Sequence, residues 1–428
     1  MRVIKVQNGQ EENALKELKN RKEEDLSSVD AVVKEIILKV IKSGDKALFQ
    51  LTRDLDGANL KDLKVTESEV EQALKEVSKD FFDILEKASE NIRSYHEKQY
   101  EKSWRFEKSK DIILGQLINP IESVGVYVPG GKAAYPSTVL MNVIPAKIAK
   151  VNRIAITTPA GINGKINPAI IAAAKTAGVD EIYKLGGAQA VAAFAYGSNT
   201  IKPVNKIVGP GNIYVARAKK YVYGTVDIDM IAGPSEICII ADRNADAACV
   251  AADMLSQAEH DEMAASILIT NCEKFAKNVM QEVSYQLKKL SRLRIAQKSI
   301  DQNGIVFITE DLVSAFSVSN FIAPEHLELM IEDPFQYLNH VKNAGAVFLG
   351  KYSPEPLGDY IAGPNHTLPT GGTAAFASPL GVYDFLKRSS LIYYSKDALF
   401  DEKDFIIDFA EKEGLTAHGN AIRVRFDD

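Results

Sequence analysis

Asp227 to His260 reads DIDMIAGPSEICIIADRNADAACVAADMLSQAEH. The Gly233-Pro234-Ser235-Glu236 loop brings a hydroxyl to the start of an apolar run, 237–241. A helix-type segment, 245–258, then delivers Gln257 and His260. Residues three apart share one helix face, so this amide and imidazole can converge on one point. Further along, Pro324-Glu325-His326 sets an acid beside an imidazole just before a strand-type run, an arrangement that suits proton transfer. Asp359 lies in a Pro/Gly-stiffened loop and His366 follows it; Glu413 and His418 flank a helix end near the C-terminus. Gln257, His260, Asp359 and His418 make a mixed N/O ligand set suited to zinc or another first-row divalent ion, with no thiolate. No H-E-x-x-H helix is present. Plainer readings stand beside these: a turn for Pro-Glu-His, a turn-forming Asp359, solvated surface histidines at 96 and 418, and a structural His340.

The elements that must position these groups alternate. Strand-type runs at 124–128, 153–157, 181–185 and 206–208 are separated by helix-type segments at 138–150, 168–177, 188–196 and 212–223. The alternation resumes with runs at 237–241, 266–270, 305–309, 327–331 and 346–349. Such alternation predicts parallel sheets with helices on both faces. The fold class is therefore α/β, with two Rossmann-like doubly wound domains, an N-terminal helical region and a small C-terminal tail domain. The expected boundaries are 1–122 (helices packing on the second α/β block), 123–235 (first block), 236–380 (second block, with the metal and catalytic loops) and 381–428 (tail). In the first region Asp30 is expected to cap a helix that Gly44 ends, and residues 1 to about 110 read as helical. A tail of this size is too small to hold a core alone and must dock on its own chain or a partner. Glycine-rich loops follow the first four strands: Pro129-Gly130-Gly131, Thr158-Pro159-Ala160-Gly161, Gly186-Gly187-Ala188-Gln189 and Gly209-Pro210-Gly211-Asn212. They can let a ligand approach the backbone at the carboxyl edge of the sheet. No G-x-G-x-x-G or Walker A sequence accompanies them, so spacing alone leaves plain βα turns and a nucleotide site both open.

The 428 residues carry a net charge of −6 with both signs interspersed, which argues against a nucleic-acid partner. Three cysteines and the absence of any long apolar run predict a cytoplasmic protein with no membrane partner.

The motifs VGVYVPGG, GGAQAVAAFAYG, VGPGN, IDMIAGPSE, LSQAEHD, APEHLEL, LGDYIAGPNHTLPTGG and EGLTAHGNAIRVR span almost the whole chain and resemble those of the histidinol dehydrogenase family. The resemblance implies oxidation of L-histidinol through L-histidinal to L-histidine, the last step of histidine biosynthesis, with NAD and Zn2+. It implies zinc held by Gln257, His260, Asp359 and His418, the last from the other subunit of a homodimer with shared active sites. It also implies His326 as general base and Glu325 as the group activating water. Substrate contacts would come from Ser235, Gln257, His260, His326, Asp359, His366, Glu413 and His418, and NAD contacts from Tyr127, Gln189 and Asn212. A zinc hydrolase using Glu325 and a non-catalytic two-lobed binding protein are the rival readings.

Overall fold

The computed structural model describes residues 1–7, 26–130 and 134–426. Gly131 of the first glycine loop lies outside the described residues. The strands are β1 (Arg2–Lys5), β2 (Trp104–Ser109), β3 (Ile112–Pro120), β4 (Ser123–Tyr127), β5 (Arg153–Thr157), β6 (Glu181–Tyr183) and β7 (Lys206–Val208). They continue with β8 (Asp227–Ile228), β9 (Glu236–Ala241), β10 (Ala265–Thr270), β11 (Ile305–Ile308), β12 (His326–Met330), β13 (Ala346–Leu349) and β14 (Leu386–Tyr394).

Two parallel sheets repeat one topology. The first runs β6-β5-β4-β7-β8; the second runs β11-β10-β9-β12-β13, with β1 added at its β11 edge. Counting from the first strand of each block, both orders are 3-2-1-4-5, which places a crevice between the first and fourth strands. The strands are apolar along their length because helices cover both faces; Val124, Val126, Ile154 and Ile156 of the first sheet and Ile237, Ile239, Leu327 and Leu329 of the second are fully buried. Pairing is in simple parallel register, and His326 lies opposite both Ile237 and Ala346.

The N-terminal helices pack on the first block, not on the second as the sequence reading had it. Val33, Ile37, Leu48 and Leu51 share a core with Val191, Phe194 and Val215, while Leu85 and Ile92 share the opposite core with Val139 and Ile144. β1 joins the second sheet, alongside β11. The stretch to residue 110 is also not all helical, since β1 and β2 interrupt it. Gly44 does not end its helix: at φ 50° it kinks a helix that runs Ser27–Asp56 and stops at Gly57, whose φ is 69°. Asp30 lies inside the first turn and is paired with Arg217 rather than capping. His96 is fully buried, not solvated; its Nδ1 donates to the Ile92 carbonyl (2.8 Å).

The tail supplies β14, which pairs antiparallel with β3 in a three-stranded sheet that also holds β2. Beyond it, helices Lys396–Lys412 and Thr416–Arg423 pack on each other. Phe405 and Phe409 remain 74% and 69% exposed there.

Candidate functional site

The polar groups converge at the amino edge of the second sheet. Glu236 opens β9 and His326 opens the adjacent β12 opposite Ile237, so parallel register brings the two strand starts together with an offset of one residue. The Glu236 N–H donates to Glu325 Oε2 (3.0 Å), and His326 Nδ1 donates to the Glu236 carbonyl (3.2 Å). A carbonyl can only accept, so Nδ1 carries the proton and Nε2 of the neutral ring is left with its lone pair. Burial, partly offset by the nearby Asp359 charge, pushes His326 down to about 4, so the ring is neutral at neutral pH.

Helix Ala247–Ala258 runs back against β9 and ends at the same edge, because a right-handed β-α-β crossover returns the chain to where the next strand begins. Gln257 lies in its last turn and His260 just past it. Gln257 is fully buried, yet among the described residues neither its Oε1 nor its Nε2 has a hydrogen-bond partner. An unsatisfied buried amide costs roughly 1–3 kcal/mol, so this side chain fits an electron-poor occupant better than an empty cleft.

The loop after β13 contributes the rest. It is not irregular throughout: Glu355–Tyr360 form a short helix whose first N–H, that of Glu355, donates to Glu328 Oε1 (2.8 Å). One ligand atom each from His260, Glu355 and Asp359 lie within 4.8 Å of one another. Burial opposes ionisation of Asp359, but the His366 hydrogen bond and the neighbouring imidazoles outweigh it and hold the group at about 2. His366 Nδ1 lies 3.1 Å from the Asp359 carbonyl and 3.6 Å from its Oδ1. Glu325 is raised well above the usual carboxylate range, first by burial and then by the charges of Glu236, Asp359 and Glu355.

A cavity of about 640 Å³ opens onto His326, Asp359 and His366, with Phe348 and Leu357 as apolar wall. Ser235 stands in the half-exposed loop leading into β9, and Gly233 N–H and Gly372 N–H tie that loop to Thr370 Oγ1 (2.6 Å) and Glu236 Oε1 (3.3 Å).

The structure thus brings together Glu325, His326, His260, Asp359 and His366, with Gln257 one helical turn away. Glu413 and His418 do not join them within one chain; both are exposed on the tail. Glu355 was missed in the sequence, although it stands only four residues, one helical turn, before Asp359.

The other sequence-predicted group lies on the carboxyl edge of the first sheet. Tyr127 ends β4, and its hydroxyl accepts from the Gly187 N–H (3.1 Å). Gln189, in the first turn of helix Gly187–Tyr196, donates to Asp56 Oδ2 (3.3 Å). Asn212 caps helix Ile213–Val222, its Oδ1 accepting from the N–H groups of Tyr214 and Val215 (3.1 and 3.2 Å). The two blocks touch beside this site: Asn142 Nδ2, on a helix of the first block, donates to Thr367 Oγ1 (3.2 Å), next to His366.

Two Rossmann-type units, one offering glycine loops and the other a cleft of buried acids and imidazoles, define a two-block α/β enzyme of the oxidoreductase type. The sequence profile of histidinol dehydrogenase matches residues 19–426, and the chain belongs to that family. It is 55% identical over 400 residues to the histidinol dehydrogenase of Listeria monocytogenes serovar 1/2a, covering 94% of this chain and 93% of that one. It is 49% identical over 426 residues to that of Clostridium acetobutylicum, covering 100% and 99%. The crystal structure of histidinol dehydrogenase from Elizabethkingia anophelis superposes with a TM-score of 0.92 at 38% identity, over 99% of this chain and 97% of that one.

Proposed function

We propose that this chain oxidises L-histidinol through L-histidinal to L-histidine, using two NAD and one zinc ion per site in a homodimer. The observation that carries the reading is the junction of a neutral, correctly oriented His326 with the His260–Glu355–Asp359 group. Gln257, His260 and Asp359 would hold the metal, with His418 of the partner subunit completing the set. The orphaned Gln257 amide and the acid-rich, half-buried ligand group fit a borderline divalent ion. Zinc has no redox chemistry, so it would fix the substrate's imidazole and amine while NAD serves as the oxidant.

His326 Nε2 takes the hydroxyl proton, and Asp359 stabilises the imidazolium that results. In the aldehyde stage Glu325 draws a proton from water attacking the carbonyl. Its carboxyl is held neutral partly by Asp359 and Glu355; with those two neutralised by a cation, it moves toward the ionised form this role needs. Ser235, His366 and Glu413 of the partner subunit bind substrate, and Tyr127, Gln189 and Asn212 line the cofactor edge. The domain division at 123, 236 and 381 follows the same logic: cofactor on one block, metal and proton transfer on the other, and a tail that reaches across.

Absorbance at 340 nm tests the reading. L-histidinol with excess NAD should yield two NADH per substrate consumed. Turnover without NADH, or tight histidinol binding without turnover, would instead support a hydrolase or a binding protein.

A further inference from the structure

The carboxyl edge of the first sheet is almost free of acids. The segments 128–135, 158–167, 184–188 and 209–212 contain no Asp or Glu. In many dinucleotide sites a carboxylate near the second strand accepts the ribose hydroxyls of NAD, and β5 is followed by none. Carboxylates reach the cavity beside this edge from the N-terminal helices instead: Asp56, Glu76, and Glu69, which is paired with Lys184. Asp56 ends helix Ser27–Asp56, and the left-handed turn at Gly57 (φ 69°) releases the chain there.

Asp56 lies on the wall of a cavity of about 840 Å³, with Gly130, Thr158, Pro159 and Gly161. It is pressed onto the glycine loop: a Cβ on Gly186 would stand 3.3 Å from Asp56 Oδ1 and 2.8 Å from Pro159. Among the described residues its hydrogen-bond partner on that edge is Gln189 Nε2. Gln189 is 1% exposed and its Oε1 has no partner, nor does the buried Thr158 Oγ1. Thr158 thus brings to the cavity wall a buried polar atom that no described residue satisfies, with Gln189 behind it against Asp56. On the same wall Lys184 is already paired with Glu69 (2.9 Å), and the exposed Lys165 is the other described cation of the lining.

We propose that Asp56 accepts the hydroxyls of the adenosine ribose of NAD and thereby rejects NADP. The inference rests on the nicotinamide reading above. A carboxylate accepts two hydroxyl donors well, whereas a 2′-phosphate would set like charges together in a partly desolvated place. Burial already pushes this carboxyl up to about 6, and a diol that donates to its ionised form would draw it back down.

The test uses the full-length protein without histidinol. Binding of NADH and of NADPH is followed by nucleotide fluorescence for the wild type and for Asp56→Ser and Asp56→Asn. Wild type should prefer NADH. Both variants should narrow the NADH:NADPH affinity ratio by about tenfold or more, a difference near 1.4 kcal/mol. Asp56→Asn keeps the side-chain size, so it separates charge from packing if the serine variant folds poorly. An unchanged ratio in the folded variants overturns the proposal while leaving NAD use intact. Failure of the wild type to bind either nucleotide overturns the nicotinamide reading itself.

Discussion

Two carboxyls near His326 do different work. Glu325 is expected to matter chiefly when water attacks the aldehyde. Glu325→Gln should slow oxidation of L-histidinal by about 10²–10⁴-fold, the usual cost of losing a general base, and slow the alcohol stage less. Separate pre-steady-state measurements with alcohol and aldehyde check this; equal losses would remove the role. Glu328, two residues beyond His326, faces Asp253 in the interior, and each has an unpartnered oxygen. Burial first, then the charge of Asp253, pushes Glu328 up to about 9 from its ordinary 4.5. The folded chain therefore holds a proton that the unfolded chain gives up. Its stabilising effect is complete below the ordinary glutamate range and is lost as pH rises toward about 9. Glu328→Gln keeps the acceptor for the Glu355 N–H, so its thermal stability should fall less between pH 6 and 9 than that of the wild type, a comparison that scanning calorimetry makes. At this scale the acid-imidazole pair, the Gln-x-x-His spacing, Asp359 and His366 were legible in the chain. Glu355 was not, because whether it turns inward depends on Glu328 capping a helix that a Pro-rich stretch does not announce.

The short helix and the loop after it, which carry Asp359 and His366, are braced by helix Lys79–His96 and by the helix Pro136–Ile148. Asn91 Nδ2 donates to the Ile361 carbonyl (2.7 Å), and Asn365 Nδ2 reaches His96 Nε2 (3.5 Å) and the Met141 carbonyl (2.6 Å). Gly363 has φ 108°, and a Cβ there would stand 2.6 Å from the Asn91 carbonyl oxygen. Gly363→Ala should cost about 1–3 kcal/mol of stability, as strained backbone positions do. It should also weaken retention of bound metal, measured by dialysis and metal analysis; unaltered stability and retention would show that the brace is dispensable. The central parallel strands were readable because each is a short, mostly buried apolar run, and the limits at 153–157, 206–208 and 346–349 agree with the structure, whereas β1 and β8, short and largely exposed, were not read. The antiparallel β2-β3-β14 sheet was not. Along β2 every residue is exposed, so no alternation marks it, and β14 lies some 270 residues from its partner β3. The apolar stripe of the N-terminal helices showed that they pack, but nothing in a stripe says which of two similar sheets it meets.

Across the whole molecule the carboxyl edge of one sheet carries the glycine loops proposed to hold the cofactor, and the amino edge of the other carries the acids and imidazoles. No described helix is long and apolar enough to cross a membrane. The tail helices bury little of themselves and leave Phe405 and Phe409 exposed, an apolar surface that the proposed exchange of tails between two copies would cover. Removal of metal by a chelator should abolish NADH formation from L-histidinol and zinc should restore it. The account depends most on a site completed from two chains, and mixing two inactive variants measures that directly. His418→Ala and His326→Ala chains are combined, dissociated and reassociated, and NADH formation is recorded. Random pairing leaves one whole site in each mixed dimer, so about a quarter of wild-type activity should return. Mixed dimers that form yet stay inactive would contradict it.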